Sequence, residues 1–554
     1  MNEKLFLIAI GGTGMRCLES FVHLCAAGLF DNHTIDILTL DTDQTNGNKG
    51  RVENLIDLYN RVKTDDGTEV GGVATKNTFF SAKLNLYRFF TDYSSANRNT
   101  LSSLAQTANL SEQQREENQD LSDLFFERDS VQDFNLDHGY RAQTHLGSML
   151  MYHGIIESAR KSKAGDADVK FQDKELAAFL QALNKNAAVA RIFVFGSVFG
   201  GTGASSIPVI PLALSEALKV LTGGATEINI NKALFGSTLL TDYFTFGNPT
   251  DQELQREKVI ATSNHFALNS QAALSFYNAD TTVQSIYKRM YHIGWPAMLK
   301  TNYTNAGKVL TGGSEQRNPC HIIEMMCAVA AYDFFNDDRN RLSGISQAEY
   351  VHRTIEIAEN GTMKLNGASF VGDKYGELFE NKLGAFLSFA HIILSKFQGA
   401  VEDNDGVCSL LNYFDEVKFT EYNNLTDEQC KQINDYLKEF AYKFIKDKVE
   451  FGWIYQLNSS MGNGKFIFSQ DAFKSTITEL KDIDPGAIFA DEMHHWDMTG
   501  NIFASSSNRR FNTFLTNIKK DVNYPMDNQG STLKEQFLAH MYNTITETQH
   551  FTNS

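Results

Sequence analysis

The chain opens on an unbroken apolar run, Leu5-Phe6-Leu7-Ile8-Ala9-Ile10, whose lack of alternation predicts a strand buried on both faces. Gly11-Gly12-Thr13-Gly14 follows. From Met15 to Leu29 the apolar residues Leu18, Phe21, Val22, Leu24, Cys25 and Leu29 then recur at helical spacing. A second strand, Ile35 to Leu40, ends in Asp41-Thr42-Asp43. Strand, glycine turn, helix, strand is the order of an α/β fold with a doubly wound, mostly parallel sheet, which binds its ligand at the carboxyl ends of the strands. Ala190 to Val198 and Lys232 to Leu240 predict further strands. Between them, Phe199-Gly200-Gly201-Thr202-Gly203-Ala204-Ser205 repeats the strand, glycine turn, helix arrangement.

Elsewhere the pattern is coarser. Residues 44 to about 135 are polar and irregular and predict a largely helical insertion. A loop from Gly139 to Gly147 leads into a helix from Ser148 to Lys161, and a charged loop and helix fill 163 to 185. A long helix fits Asp251 to Tyr277. The expected organisation is a ligand-binding domain over 1–250, a connecting helix over 251–280, and a second α+β domain with a helical extension over 281–554. A strand at Met290 to Gly294 and a helix from Pro319 to Phe335 would open the second domain. Helical patterns at Lys382 to Phe397 and Thr426 to Lys446 follow.

Composition narrows the class. A net charge of −17 argues against a protein that coats nucleic acid, which needs clustered Lys and Arg. The longest apolar tract, Ile192 to Leu214, is broken by glycines and does not read as a membrane span. Six dispersed cysteines without a Cys-x-x-Cys pair fit buried thiols in a reducing compartment. No apolar signal segment precedes the first strand, so the expected location is the cytoplasm.

The two glycine turns carry the chemistry. Glycines let backbone N–H groups crowd around a phosphate at a helix N-terminus, where the dipole adds favourable field. Neither common nucleotide fingerprint is complete. Gly12-x-Gly14 lacks its third glycine, where Cys17 stands, and Gly196 and Gly201 have P-loop separation but Thr202 replaces the lysine. Arg141, in the loop at 139–147, is a candidate phosphate partner because guanidinium binds phosphate oxygens in pairs. Asp491 to Asp497 contains adjacent histidines with no third ligand at useful spacing, and reads as a surface segment rather than a metal site.

Gly11 to Gly14, Asp41-Thr42-Asp43 and Gly200 to Gly203 occur in the order and identity of the nucleotide loops of the tubulin/FtsZ superfamily, which the chain resembles over about residues 1 to 335. Phe199 departs from the small residue usual before Gly-Gly-Thr-Gly. The extended insertion and Gln316-x-Asn318-Pro319 look like the divergent bacterial tubulin-like proteins, often encoded beside conflict or defence genes.

The resemblance implies GTP or GDP with Mg2+ as cofactors. Gly11, Gly12, Thr13 and Gly14 would meet the α- and β-phosphates, Gly200, Gly201, Thr202 and Gly203 the β- and γ-phosphates, and Asp43 the Mg2+ or its waters. It also implies an asparagine on the connecting helix that reads guanine, with Asn264 the first choice and Asn269 the second. An acid supplied to the neighbouring subunit's nucleotide would be Glu324 or Glu315, with Asn318 as the loop asparagine. The expected partners are further copies of the chain, stacked head to tail into filaments, and another protein at the C-terminal region. A non-polymerising nucleotide switch and a dinucleotide-dependent oxidoreductase are the alternatives.

Overall fold

Leu5, Leu7 and Ala9 of the first apolar run enter one buried cluster, while Phe6, Ile8 and Ile10 enter another, each at most 1% exposed. That alternation makes the run a strand covered on both faces. The computed structural model describes residues 3–64, 72–93, 98–106, 110–133, 135–136, 140, 143–165, 169–224, 229–247, 251, 261–303, 312–355, 370–396, 406–415, 425–445, 448–459, 514–518 and 532–550. Its central sheet contains β1 (Lys4–Ile10), β2 (Thr34–Asp41), β3 (Lys83–Phe90), β4 (Ala190–Phe195), β5 (Leu234–Leu240), β7 (Tyr287–Ile293) and β9 (Glu349–Arg353). The spatial order is β3-β2-β1-β4-β5-β7-β9, and every pairing is parallel. A small parallel pair, β6 (Phe244–Phe246) with β8 (Thr301–Tyr303), and an antiparallel pair, β10 (Tyr442–Ile445) with β11 (Lys448–Phe451), lie outside it.

Strand order reverses between β1 and β4, where the chain leaves the sheet in opposite directions and opens a crevice at the strands' carboxyl ends. One face is covered by α1 (Gly11–Ala26) and α2 (Gly47–Lys63). Beyond a short helix α3 (Leu101–Ala105) and α4 (Glu112–Phe125), the other face carries α5 (Thr144–Ala164), α6 (Phe171–Asn186) and, after the six-residue α7 (Gly201–Ser206), α8 (Ile210–Thr222). Helix α9 (Phe266–Ala279) buries Tyr277 on that second face, and α10 (Ile322–Asn336) lies on the first, apolar all round because it is sealed between sheet and helices.

Three expectations are corrected. The span read as a helical insertion supplies α2 and the edge strand β3, and among its described residues α3, α4 and a turn at Arg128–Gln132 lie outside the sheet architecture. The strand at Met290 and helix α10, expected to open a second domain, belong to the first: β7 pairs with β5, and α10 packs on β4, β5 and β7. The connecting helix from Asp251 falls partly outside the described residues, and what is described begins as a 3₁₀ turn at Ser263–His265 before α9.

The C-terminal elements are α11 (Asp373–His391), α12 (Gly406–Asp415), α13 (Asp427–Phe440), α14 (Trp453–Ser459) and α15 (Leu533–His550). They share one apolar cluster with α1 and α2. His23 of α1 stacks on Trp453 at 4.8 Å between ring centroids, and Lys63 of α2 pairs with Glu535 at 3.1 Å. Among the described residues no helix is long and apolar enough to cross a membrane. The cysteines form no disulfide, and five of the six are buried.

Candidate functional site

At the strand-order reversal, both glycine turns line one cleft. Its walls hold Gly11, Gly12 and Thr13 from the start of α1, and Gly200, Gly201, Thr202 and Gly203 from the start of α7; its non-atom space, the open mouth included, is about 800 Å³. The two turns touch. Gly11 has φ +66°, a conformation favouring glycine, and a Cβ there would lie 3.2 Å from Thr202 Cβ. Gly14 sits one step behind, pressed against β4, where a Cβ would come within 2.6 Å of the Phe195 carbonyl oxygen. A Cβ on Gly203 would meet the Ser197 carbonyl at 2.6 Å, so this glycine lets α7 fold back on the end of β4. No side chain caps α1 or α7, which leaves their leading N–H groups to face the cleft.

Two carboxylates close the end of β2. Asp41 is 2% exposed; one oxygen accepts from the backbone N–H groups of Thr42 at 2.8 Å and Asp43 at 3.3 Å, and the other is buried without a partner. Burial, then the charge of Asp43, pushes its carboxyl up to about 7. Asp43 is committed on both oxygens: Oδ1 accepts from the N–H and hydroxyl of Thr45 at 3.0 and 2.9 Å, and Oδ2 accepts from Gly313 N–H. Asp43, the residue expected at the cation, lines the cleft with both oxygens already accepting, and the partnerless carboxylate oxygen in the same lining is the buried Oδ2 of Asp41. Among the described residues no three His, Cys, Asp or Glu side chains form a metal cluster. Mg2+ fits such a setting, since it commonly takes one or two carboxylates and completes its shell with phosphate oxygens and waters.

Sequence reasoning missed the other wall. Phe199 is 2% exposed and packs against Phe266 at 4.8 Å and Phe244 at 5.6 Å between ring centroids. With Phe246 these rings make one aromatic side of the cleft, so the residue that departed from the glycine pattern seeds a stacking surface. Tyr140 and Ser197 also line it. So does Gln316, whose carboxamide oxygen accepts from Asn46 Nδ2 at 2.7 Å while Asn46 Oδ1 caps α2 through Asn48 and Lys49. Only the long-range bond between Asn46 and Gln316 reveals this role, and no local sequence signal carries it.

Several expected residues lie elsewhere. Asn264 is exposed on the 3₁₀ turn and does not line the cleft, whereas Asn269 donates to the Phe199 carbonyl at 3.3 Å behind the aromatic wall. Arg141 lies outside the described residues, as does the segment Asp491 to Asp497. Glu324 is 0% exposed, paired with Arg16 at 2.8 Å, hydrogen-bonded by Tyr243, and accepts from His321 N–H at 2.9 Å as part of a capping box for α10. It cannot reach another molecule, and its expected catalytic role is corrected to a structural one. Burial raises its carboxyl above the usual range, against the lowering effect of Arg16. Asn318 is buried, its N–H on Asn48 Oδ1 at 3.2 Å and its carbonyl on Arg51. Glu315 is exposed on the loop before it, away from the cleft.

The fold and site define a mixed α/β protein with a parallel seven-stranded sheet and a glycine-lined cleft at its switch point. No protein-family model and no curated protein matches this chain.

Proposed function

We propose that the chain is a tubulin/FtsZ-like nucleotide-binding protein that takes GTP or GDP with Mg2+ and stacks head to tail with further copies. One observation carries the binding reading: two uncapped glycine-rich helix starts and the partnerless carboxylate oxygen of Asp41 meet in a single cleft at the strand-order reversal. The N–H groups would hold phosphates, Asp41 would hold the cation that offsets their charge, and the rings of Phe199, Phe244, Phe246 and Phe266 offer the base a stacking face. A bound Mg2+ would supply positive charge that offsets the phosphates.

Head-to-tail stacking brings the pole opposite the cleft onto the next molecule's nucleotide. Helix α10 runs from the cleft end to that pole. Its first turn meets Tyr243, and beyond its last turn Asp337 accepts from Arg191, at the start of β4, while Arg339 pairs with Glu3. Asp337 is held on both carboxylate oxygens by Arg289, Arg341 and Asp338 N–H, so the carboxylate there that could act on a neighbour is the exposed Asp338, in place of Glu324 and Glu315. A second reading, a nucleotide switch with negligible turnover, is favoured by the burial of Glu324 and Asn318, which keeps both from a neighbour's nucleotide.

The deciding experiment extracts and identifies the nucleotide carried by the purified full-length protein, beside Gly12→Val. A side chain at Gly12 projects toward Asn46 and Gln316 at 3.2 Å and fills the phosphate end. Guanine nucleotide in the wild type, lost in the variant at unchanged circular dichroism, supports the proposal. Retained NAD(P) or flavin, or no calorimetric binding of any nucleotide, overturns it.

A further inference from the structure

Helices α3, α4 and α5 enclose a second groove, on the face of the sheet away from the C-terminal helices, with about 1350 Å³ of non-atom space, the open mouth included. Its lining is apolar, with Leu101 and Leu104 of α3, Leu121 and Phe125 of α4, and Met149 and Leu150 of α5. The one guanidinium in the lining, Arg98, is paired with Glu157. Of eleven large apolar side chains exposed among the described residues, four lie in this groove or beside it on α4: Leu121, Leu124, Phe125 and Met149.

The outer wall is charged. α4 carries Glu112, Glu116, Glu117, Asp120 and Asp123 against the single cation Arg115, a net −4 over fourteen residues, where the whole chain has −17 over 554. Among the described residues only Asp123 of these five has an ion-pair partner, Arg128. Elsewhere Glu19, Glu53, Asp57 and Glu157 each sit on a lysine or arginine. Helical spacing also joins charge to apolar surface. Glu117, Leu121 and Phe125 follow at four-residue steps, as do Glu116, Asp120 and Leu124, so each row is acidic first and apolar at its end.

We propose that this groove binds a cationic amphipathic helix of a partner protein. Its apolar side would enter between Leu121, Phe125 and Met149, and its Lys or Arg residues would face Glu116, Glu117 and Asp120. Charge selects the occupant: carboxylates without a cationic partner attract such a helix and repel an acidic segment or an anionic lipid surface. Fourteen residues make α4 about 20 Å long, which matches three to four turns of a docked helix. The groove and the glycine-lined cleft share no lining residue, so the proposal does not depend on what the cleft holds.

Fluorescence anisotropy on the full-length protein tests this with two labelled synthetic helices of one leucine pattern, one with Lys and the other with Glu at its polar positions. The Lys helix is expected to bind about tenfold or more tightly than the Glu helix, and to weaken as salt is raised. Leu121→Ala with Phe125→Ala should weaken it about tenfold. Glu116→Gln, Glu117→Gln and Asp120→Asn together should weaken it and flatten its salt dependence. All five positions are exposed on a helix, where Ala and Gln are good formers, and circular dichroism checks that the fold is kept. Leu268→Ala with Phe276→Ala, exposed apolar positions on the uncharged α9, is the control and should bind as the wild type does. Equal binding of both helices, no binding of either, undiminished binding in both groove variants, or an equal loss in the control overturns the proposal. So does self-association of the protein alone that Leu121→Ala with Phe125→Ala abolishes, which would put a second copy in the groove.

Discussion

Asp41 and Glu324 show how the same chemical group, a buried carboxyl, meets opposite surroundings. Both carboxylates are buried. Glu324 is compensated by Arg16, Tyr243 and the N–H of its own helix cap, and removing one partner of such a pair costs about 3–5 kcal/mol because a charge is stranded. Asp41 has one oxygen buried without a partner, and burial, then the charge of Asp43, raises its carboxyl to about 7. Asn at this position retains the acceptor for Thr42 and Asp43 N–H, so Asp41→Asn is expected to fold normally. Without divalent cation, the wild type should bind a triphosphate more tightly at about pH 6, where Asp41 is protonated, than at about pH 8, and Asp41→Asn should flatten that dependence. The enhancement of binding by Mg2+ should fall about tenfold in the variant, as one of the cation's few protein ligands is lost. Calorimetry with and without EDTA checks both; an unchanged Mg2+ enhancement would remove Asp41 from the cation site.

At the scale of elements, what the sequence made legible follows burial. β1, β4 and β5 are buried along nearly their whole length, and a strand covered on both faces has nowhere to place polar residues, so it reads directly as an apolar run. β3 is an edge strand, half-exposed at Asn85, Tyr87 and Arg88, and its mixed pattern merged with the polar stretch around it. The glycine turns were legible because their chemistry is local. The loop from Gly313 to Asn318 was misassigned because what fixes it is not: Gly47 N–H donates to the Gly313 carbonyl, Asp43 accepts from Gly313 and Asn48 from Asn318, each some 270 residues apart. The docking of the C-terminal helices on α1 was equally invisible, and it rests in part on His23, enclosed by Tyr436, Phe440 and Trp453. Burial, then the charge of Arg51, lowers the His23 pKa from 6.5 to about 3. A group depressed in the folded state contributes stability that is present above its unfolded pKa and lost as pH falls through the folded value. The protein should therefore lose a few kcal/mol between about pH 6.5 and 3 on this account, and His23→Phe should flatten that part of the pH profile in denaturant unfolding. An identical profile in the variant would place the acid sensitivity elsewhere.

For the whole molecule, the question is whether the cleft is complete within one copy. Its lining offers glycine-turn N–H groups and aromatic rings, yet the only carboxylates among the described lining residues are Asp41 and Asp43, one with a partnerless oxygen and the other locked into the turn. A parallel sheet places this cleft at one pole, and α10, running against the strands, carries the chain to the other, where Asp338 is exposed and accepts from Arg341 N–H as the cap of the short helix Arg339–Ser343. A head-to-tail contact is heterologous and propagates without closing, so each added copy would bring that pole to a waiting cleft. Turnover should then rise more steeply than in proportion to protein concentration, with assemblies pelleting in GTP. Asn caps a helix as well as Asp, so Asp338→Asn removes the charge while keeping the fold. It should bind nucleotide as the wild type does and still assemble, while turnover per subunit falls about a hundredfold, within the range expected for a positioned acid or base. Strict proportionality of turnover to concentration in the wild type would make the cleft self-sufficient and the stacking reading wrong. Full activity in Asp338→Asn with steep concentration dependence would instead keep the stacking and remove Asp338 as the acting carboxylate.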